Sequence, residues 1–131
     1  MPTFELVARA RAPVEEVWKL LHDPARFPQW WSGVETVQPS PDGYTMWPTG
    51  YPDFPMPQRL RTDRVDGRVT ISCLVSDLQF VWQLRDAGSS TDITVRVTIP
   101  DAESHRMEGQ REVIAASLAR LATLAAAATP R

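Results

Sequence analysis

Four segments between residues 58 and 99 each alternate apolar and polar side chains, and a single long helical pattern follows them. This arrangement constrains the fold more than any other feature. In the stretch 77–86, Leu78, Phe80, Trp82 and Leu84 share one face, while Gln79, Gln83 and Arg85 share the other. In 91–99, Ile93, Val95, Val97 and Ile99 oppose Thr94, Arg96 and Thr98. Period-two alternation describes strands with one dry face. An antiparallel sheet of such strands needs a cover. The stretch from Ala102 to Ala128 is the only element long enough to supply it. There Met107, Ile114, Leu118, Leu121 and Ala125 form one narrow apolar stripe. Read as one helix, it would be about 40 Å long at 1.5 Å per residue.

The remaining elements fall around this frame. Phe4, Leu6, Ala8 and Ala10 alternate as a first strand, and Ala12-Pro13 opens a helix with Val14, Val17, Trp18 and Leu21 on one face. Asp23-Pro24 caps and starts a second short helix carrying Phe27, Trp30 and Trp31, which ends at Gly33. Segments 34–38 and 43–47 read as a hairpin. Asp66-Gly67 predicts a two-residue turn joining strands 58–65 and 68–75. The proline-rich stretch Pro48–Pro57 reads as an irregular rim loop. The sum is an α+β fold: a seven-stranded curved antiparallel sheet wrapped around a long C-terminal helix, with two short helices after the first strand. It is expected to form one domain over 1–131.

Composition narrows the function classes. A net charge of −2, from 14 basic and 16 acidic residues, gives no electrostatic case for nucleic acid or an anionic membrane. The alanine-rich tail from Ala115 is interrupted by Arg120, and reads as amphipathic rather than as a membrane span. A lone cysteine, Cys73, allows no internal disulfide and suits a cytoplasmic setting. It shares parity with Val69, Ile71 and Val75, so it reads as a buried, inert thiol. His22 and His105 have no partner at ligand spacing, so neither a metal nor another cofactor is expected. No phosphate loop, dinucleotide fingerprint or nucleophile elbow occurs.

The segment from Ala12 to Trp31, APVEEVWKLLHDPARFPQWW, resembles the opening of the SRPBCC superfamily, which includes START domains, pollen-allergen-like proteins and a polyketide cyclase/dehydrase branch. The resemblance implies the helix-grip fold and an internal ligand cavity. It implies no single reaction, since members include enzymes, carriers and regulators. A cystatin-like cone, the rival fold, places its long helix first.

Candidate site residues follow from this frame. Trp30 and Trp31 would close one end of the cavity. Trp47, Tyr51 and Phe54 lie in or beside the rim loop, where exposed apolar groups need a reason. Ile71, Cys73, Phe80 and Trp82 lie on dry strand faces. In 58–65 either Leu60, Thr62 and Arg64 or Arg59, Arg61 and Asp63 face inward, and Leu60 favours the first set. On the last helix, Met107 and Ile114 belong to the stripe, while Gln110 and Arg111 flank it on either side. Core packing, or snorkelling to solvent, is the competing account for these side chains.

Three functions fit. One is binding of a small hydrophobic ligand, whether lipid, aromatic or polyketide-like, by a monomer or homodimer. Another is cyclase, aromatase or dehydratase chemistry, with Arg111 holding an enolate and Tyr44, Tyr51 or His105 donating a proton. The third is a protein-interaction module that uses the rim loop.

Overall fold

The computed structural model describes residues 2–128; residues 1 and 129–131 of the expected unit lie outside the described residues. Seven strands run in chain order: β1 (Thr3–Ala10), β2 (Val34–Ser40), β3 (Gly43–Pro48), β4 (Met56–Asp63), β5 (Arg68–Cys73), β6 (Gln79–Asp86) and β7 (Thr91–Thr98). They form one antiparallel sheet in the order β1-β7-β6-β5-β4-β3-β2. Helices α1 (Val14–Leu21) and α2 (Phe27–Trp30) follow β1, and α3 (Met107–Ala128) follows β7. The curved sheet and the long last helix make this a helix-grip fold.

The alternating strands bury the side chains their pattern requires. Phe80, Trp82 and Leu84 on β6, and Ile93, Val95 and Val97 on β7, all lie in the core, together with the flanking Leu78 and Ile99. Against them lie Ile114, Leu118, Leu121 and Ala125 of α3. Burial of these groups dominates the stability of the fold. Two buried side-chain hydrogen bonds tie the short elements down. Thr91 Oγ1 donates to the Ala12 carbonyl at 2.8 Å, fastening the β1–α1 junction to β7. Trp30 Nε1 donates to the Leu20 carbonyl at 2.9 Å, fastening α2 to the end of α1.

Four local expectations are corrected. The last helix does not begin at residue 102. Asp101–Arg106 is a tighter 3-10 segment capped by Pro100, and α3 proper has 22 residues, about 33 Å. The turn at Asp66-Gly67 is the end of a four-residue connection, because pairing stops at Asp63 and Arg68. Arg64 leaves the sheet there to pair with Glu15 and to lie 5.3 Å from the Trp18 ring centroid, clasping the turn to α1. Pro13 caps α1 from outside rather than occupying its first turn. Val75 is 54% exposed, since β5 ends at Cys73 and the following turn carries Asp77 at φ 59°.

Candidate functional site

The aromatic residues of α2 and the sheet build a wall. Asp23 Oδ1 accepts from the Ala25 N–H at 3.1 Å and starts the 3-10 turn at Pro24, which delivers Phe27, Trp30 and Trp31 to the sheet. Trp30 and Trp31 stack with centroids 5.3 Å apart. Both stand edge-on to Trp82, at 5.2 and 5.3 Å, and Trp31 also meets Phe80 at 5.2 Å. Phe27 meets Tyr44 edge-on at 5.3 Å. Edge-to-face pairs of this kind hold rings in fixed orientations. Trp30 and Trp82 are wholly buried, so Trp31 and Phe80 form the front surface of the wall.

The chain then turns a corner at Ser32-Gly33-Val34, with Gly33 at φ 87°, a conformation suited to glycine. Ser117 of α3 holds that corner. Its buried Oγ accepts from the Ser32 N–H at 2.9 Å and donates to the Val113 carbonyl at 2.7 Å. The Gly33 carbonyl accepts from the Thr49 N–H at 3.0 Å, linking the corner to the start of the rim loop.

These parts enclose a half-open cavity of about 480 Å³. Trp31, Phe80 and Leu78 form one wall, and the 32–34 corner forms its end. Tyr44, Met46 and Pro48 of β3, Met56 and Gln58 of β4, and Cys73 of β5 line the sheet side. Arg106, Gln110 and Val113 contribute from the opposite, helical side, and Tyr51 and Phe54 reach in from the rim loop. The exposure of Tyr51 (65%) and Phe54 (56%) marks the mouth. Arg106 stands there with Glu103 at 3.3 Å. The floor is different: Tyr44, Gln58 and Cys73 are all buried. Desolvation, and secondarily the neighbouring Cys73, pushes the Tyr44 phenol well above its ordinary pKa of 10.0, so it stays protonated.

Of the residues singled out in the sequence, Trp31, Tyr44, Tyr51, Phe54, Cys73, Phe80 and Gln110 meet around the cavity. The others do not line it. Trp30, Ile71, Trp82 and Ile114 are core residues behind it, because other side chains cover them. Leu60 has the inward parity, but it lies further along β4, opposite Ile71, and Thr62 beyond it is exposed. Trp47 alternates with Tyr44 and Met46, so it faces the other side of the sheet, in a shallow groove with Glu35, Thr36, Gln38 and Pro52. Met107 packs against the core at the start of α3. Arg111 turns to the β1 side, its guanidinium 4.9 Å from the Phe4 ring centroid. His105 is exposed on the 3-10 segment, 3.9 Å from Glu103. Neither Arg111 nor His105 is among the residues that line the cavity.

Sequence reasoning missed Gln58 and Arg106 as lining groups. The parity of Leu60 carried the signal for Gln58, two residues earlier on the same strand. Arg106 precedes Gln110 by four residues, one helical turn. Among the described residues no cluster of three or more His, Cys, Asp or Glu could hold a metal ion, and no helix is long and apolar enough to cross a membrane.

Comparison with solved structures finds the same fold in proteins of low sequence identity. The di-domain aromatase/cyclase BexL, from the BE-7585A biosynthetic pathway, superposes with a TM-score of 0.80 at 16% identity over 94% of this chain and 46% of its own. StfQ, a di-domain aromatase/cyclase from the steffimycin pathway, gives 0.71 at 17% identity over 94% of this chain and 44% of its own. The chain thus spans just under half the length of either. XoxI from Bacillus cereus gives 0.76 at 14% identity, over 94% of both chains. Comparison with curated protein sequences finds no match. A family model does match, over residues 11–108, a span running from the end of β1 through the cavity-lining strands to the start of α3. By that match the chain belongs to the polyketide cyclase / dehydrase and lipid transport family.

Proposed function

We propose that this protein binds a small, largely apolar molecule in the cavity between its sheet and its last helix. The observation that carries the reading is the cavity itself. At about 480 Å³ it is in the range typical of small-molecule sites, and it pairs apolar walls with a few convergent polar groups. Removing apolar ligand surface from water is worth roughly 25 cal/mol per Å², so burial alone supplies useful affinity. The family description, which couples cyclase and dehydrase activity with lipid transport, supports a ligand of this class. The test is titration with a neutral, environment-sensitive dye such as N-phenyl-1-naphthylamine, with native mass spectrometry of the freshly purified protein. Saturable binding that is lost when Val113 is replaced by tryptophan is the expected result. Dye binding that Val113→Trp leaves unchanged would overturn it.

Catalysis in the same cavity is a second reading, favoured by the aromatase/cyclase neighbours BexL and StfQ. Tyr44 is the candidate proton donor because its phenol lies on the cavity wall and is held protonated. A phenol with a raised pKa is a weak acid but a good hydrogen-bond donor, which favours holding a substrate over protonating it. Turnover of an aryl-polyketide mimic that falls a hundredfold or more in Tyr44→Phe, while its binding persists, would establish the catalytic reading.

A further inference from the structure

We propose that Tyr44 and Gln58 form a seat for one uncharged oxygen of the ligand, a ketone, ester or amide carbonyl or a hydroxyl. The seat orients the molecule with that oxygen against β3–β4 and its apolar body against Trp31 and Phe80. The inference rests on the reading that the cavity holds a small apolar molecule, and adds the chemical class and the orientation.

The strand register places the seat. Tyr44 of β3 stands directly opposite Gln58 of β4, and Gln58 stands opposite Cys73 of β5. Opposed residues on one face of a sheet have Cβ atoms about 5 Å apart, so the three side chains form one continuous rung. The next inner-face pairs along β4–β5–β6, Leu60 with Ile71 and Val69 with Trp82, are apolar. Of the other inner-face polar side chains, Thr91 is paired with the Ala12 carbonyl and Thr62 is exposed, so the Tyr44–Gln58 rung is the polar stretch that borders the cavity.

Their hydrogen-bonding capacity is largely unused. Among the described residues the Tyr44 hydroxyl has no hydrogen-bond partner, although the residue is only 4% exposed. Gln58 Nε2 donates at 3.3 Å to the Met56 carbonyl, and among the described residues its Oε1 accepts no hydrogen bond. Among the described residues the fully enclosed unpaired side-chain atoms are Ser76 Oγ and Trp82 Nε1, so the Tyr44 hydroxyl and Gln58 Oε1 are open to the cavity and can take a partner there.

The backbone fixes this geometry. Gly43 lies so close to β4 that a Cβ there would overlap the Gln58 carbonyl oxygen and lie 2.9 Å from the Leu60 nitrogen. No side chain can separate the two strands at this point, and Tyr44 and Gln58 are held side by side.

The seat suits a neutral group. No charged side chain belongs to the rung. The cation of the cavity, Arg106, is at the mouth and is already engaged by Glu103. A carboxylate at the floor would give up its water and meet no counter-charge there. A carbonyl or hydroxyl oxygen can accept from the phenol and from the amide at little desolvation cost.

The test compares three probes of nearly one shape: 2-acetylnaphthalene, 2-isopropylnaphthalene and 2-naphthoate. Each is measured by displacement of the naphthylamine dye from the full chain, from Tyr44→Phe and from Gln58→Met. Circular dichroism verifies folding, and the near-isosteric Gln58→Met carries the test alone if Tyr44→Phe does not fold. Each substitution is expected to weaken the ketone about five- to tenfold, the worth of one hydrogen bond, and to leave the hydrocarbon within about twofold. The carboxylate should bind at least about tenfold more weakly than the ketone to the unsubstituted protein. Equal shifts for ketone and hydrocarbon, no shift for either, or naphthoate binding as tightly as the ketone would overturn the seat while leaving cavity binding intact. Failure of all three probes to displace the dye would likewise overturn the seat, and dye binding that Val113→Trp leaves unchanged would overturn both.

Discussion

Replacing Ser117 by alanine removes one oxygen from a wholly buried position, yet the consequence should be felt at the cavity. The hydroxyl serves two groups. It donates to the Val113 carbonyl of its own helix and accepts the Ser32 N–H from the α2–β2 corner. The carbonyl belongs to a continuing helix and keeps its place in the ladder, so its loss is small. The Ser32 N–H is left without that acceptor in a half-buried setting, which costs about 1–3 kcal/mol. A tenfold change in an equilibrium constant corresponds to about 1.4 kcal/mol, so the folded-to-unfolded ratio should fall by roughly 5- to 150-fold. For a chain of this length that is a drop in Tm of about 4 to 12 °C. Because Ser32, Gly33 and Val34 line the cavity, dye affinity should fall as well. The assay is urea unfolding and thermal melting of Ser117→Ala beside Thr123→Ala. Thr123 is exposed on the same helix, so its substitution should stay within about 0.5 kcal/mol of the parent. A Ser117→Ala variant as stable as Thr123→Ala, with unchanged dye affinity, would refute the claim that this hydroxyl holds the corner.

Arg111→Ala should leave dye affinity and any turnover unchanged, since the guanidinium lies against Phe4 outside the cavity. Only a stability loss of about 0.5–1 kcal/mol in unfolding experiments is expected. Cys73 lines the cavity at 3% exposure, so a small apolar thiol reagent such as monobromobimane should label it, and saturating dye should slow the labelling at least about tenfold. Labelling at the same rate with and without dye would count against the cavity reading. The Tyr44 phenol is raised above its ordinary value, so its share of stability is complete below about pH 10 and is lost as pH rises further, where the unfolded chain releases a proton that the folded chain keeps. Tyr44→Phe should accordingly flatten the alkaline arm of the stability profile and leave the alkaline absorbance titration of the folded protein unchanged.

What the sequence disclosed and what it hid divide along physical lines. The faces of β6 and β7 were legible because their two sides differ sharply in polarity: Leu84 against Arg85, Val95 against Arg96. The segment holding β3 gave no such contrast. Tyr44, Met46 and Trp47 are all apolar or aromatic, and which of them turn inward was decided by pairing with β4 at Gln58 and Met56. The helical stripe was correctly placed, and so were its two flanks at Gln110 and Arg111. Which flank meets the cavity depends on how α3 lies across the sheet, with β1 on one side and the cavity on the other. No helical wheel contains that information. Depth was equally hidden. Trp30, Trp31 and Trp82 are alike as aromatic signals, and only the packing shows that Trp30 and Trp82 are wholly buried while Trp31 lines the cavity.

The pairing of the first strand with the last has a consequence for how the chain is made. Glu5 and Arg96 face each other across β1 and β7 although 91 positions separate them. Closing so large a loop must precede the reward for closing it, which slows folding relative to a helical chain of equal size. During synthesis β1 emerges before the other six strands, and among the described residues its one sheet neighbour is the last of them to appear. Its backbone donors and acceptors therefore wait in water, or with a chaperone, until β7 has left the ribosome.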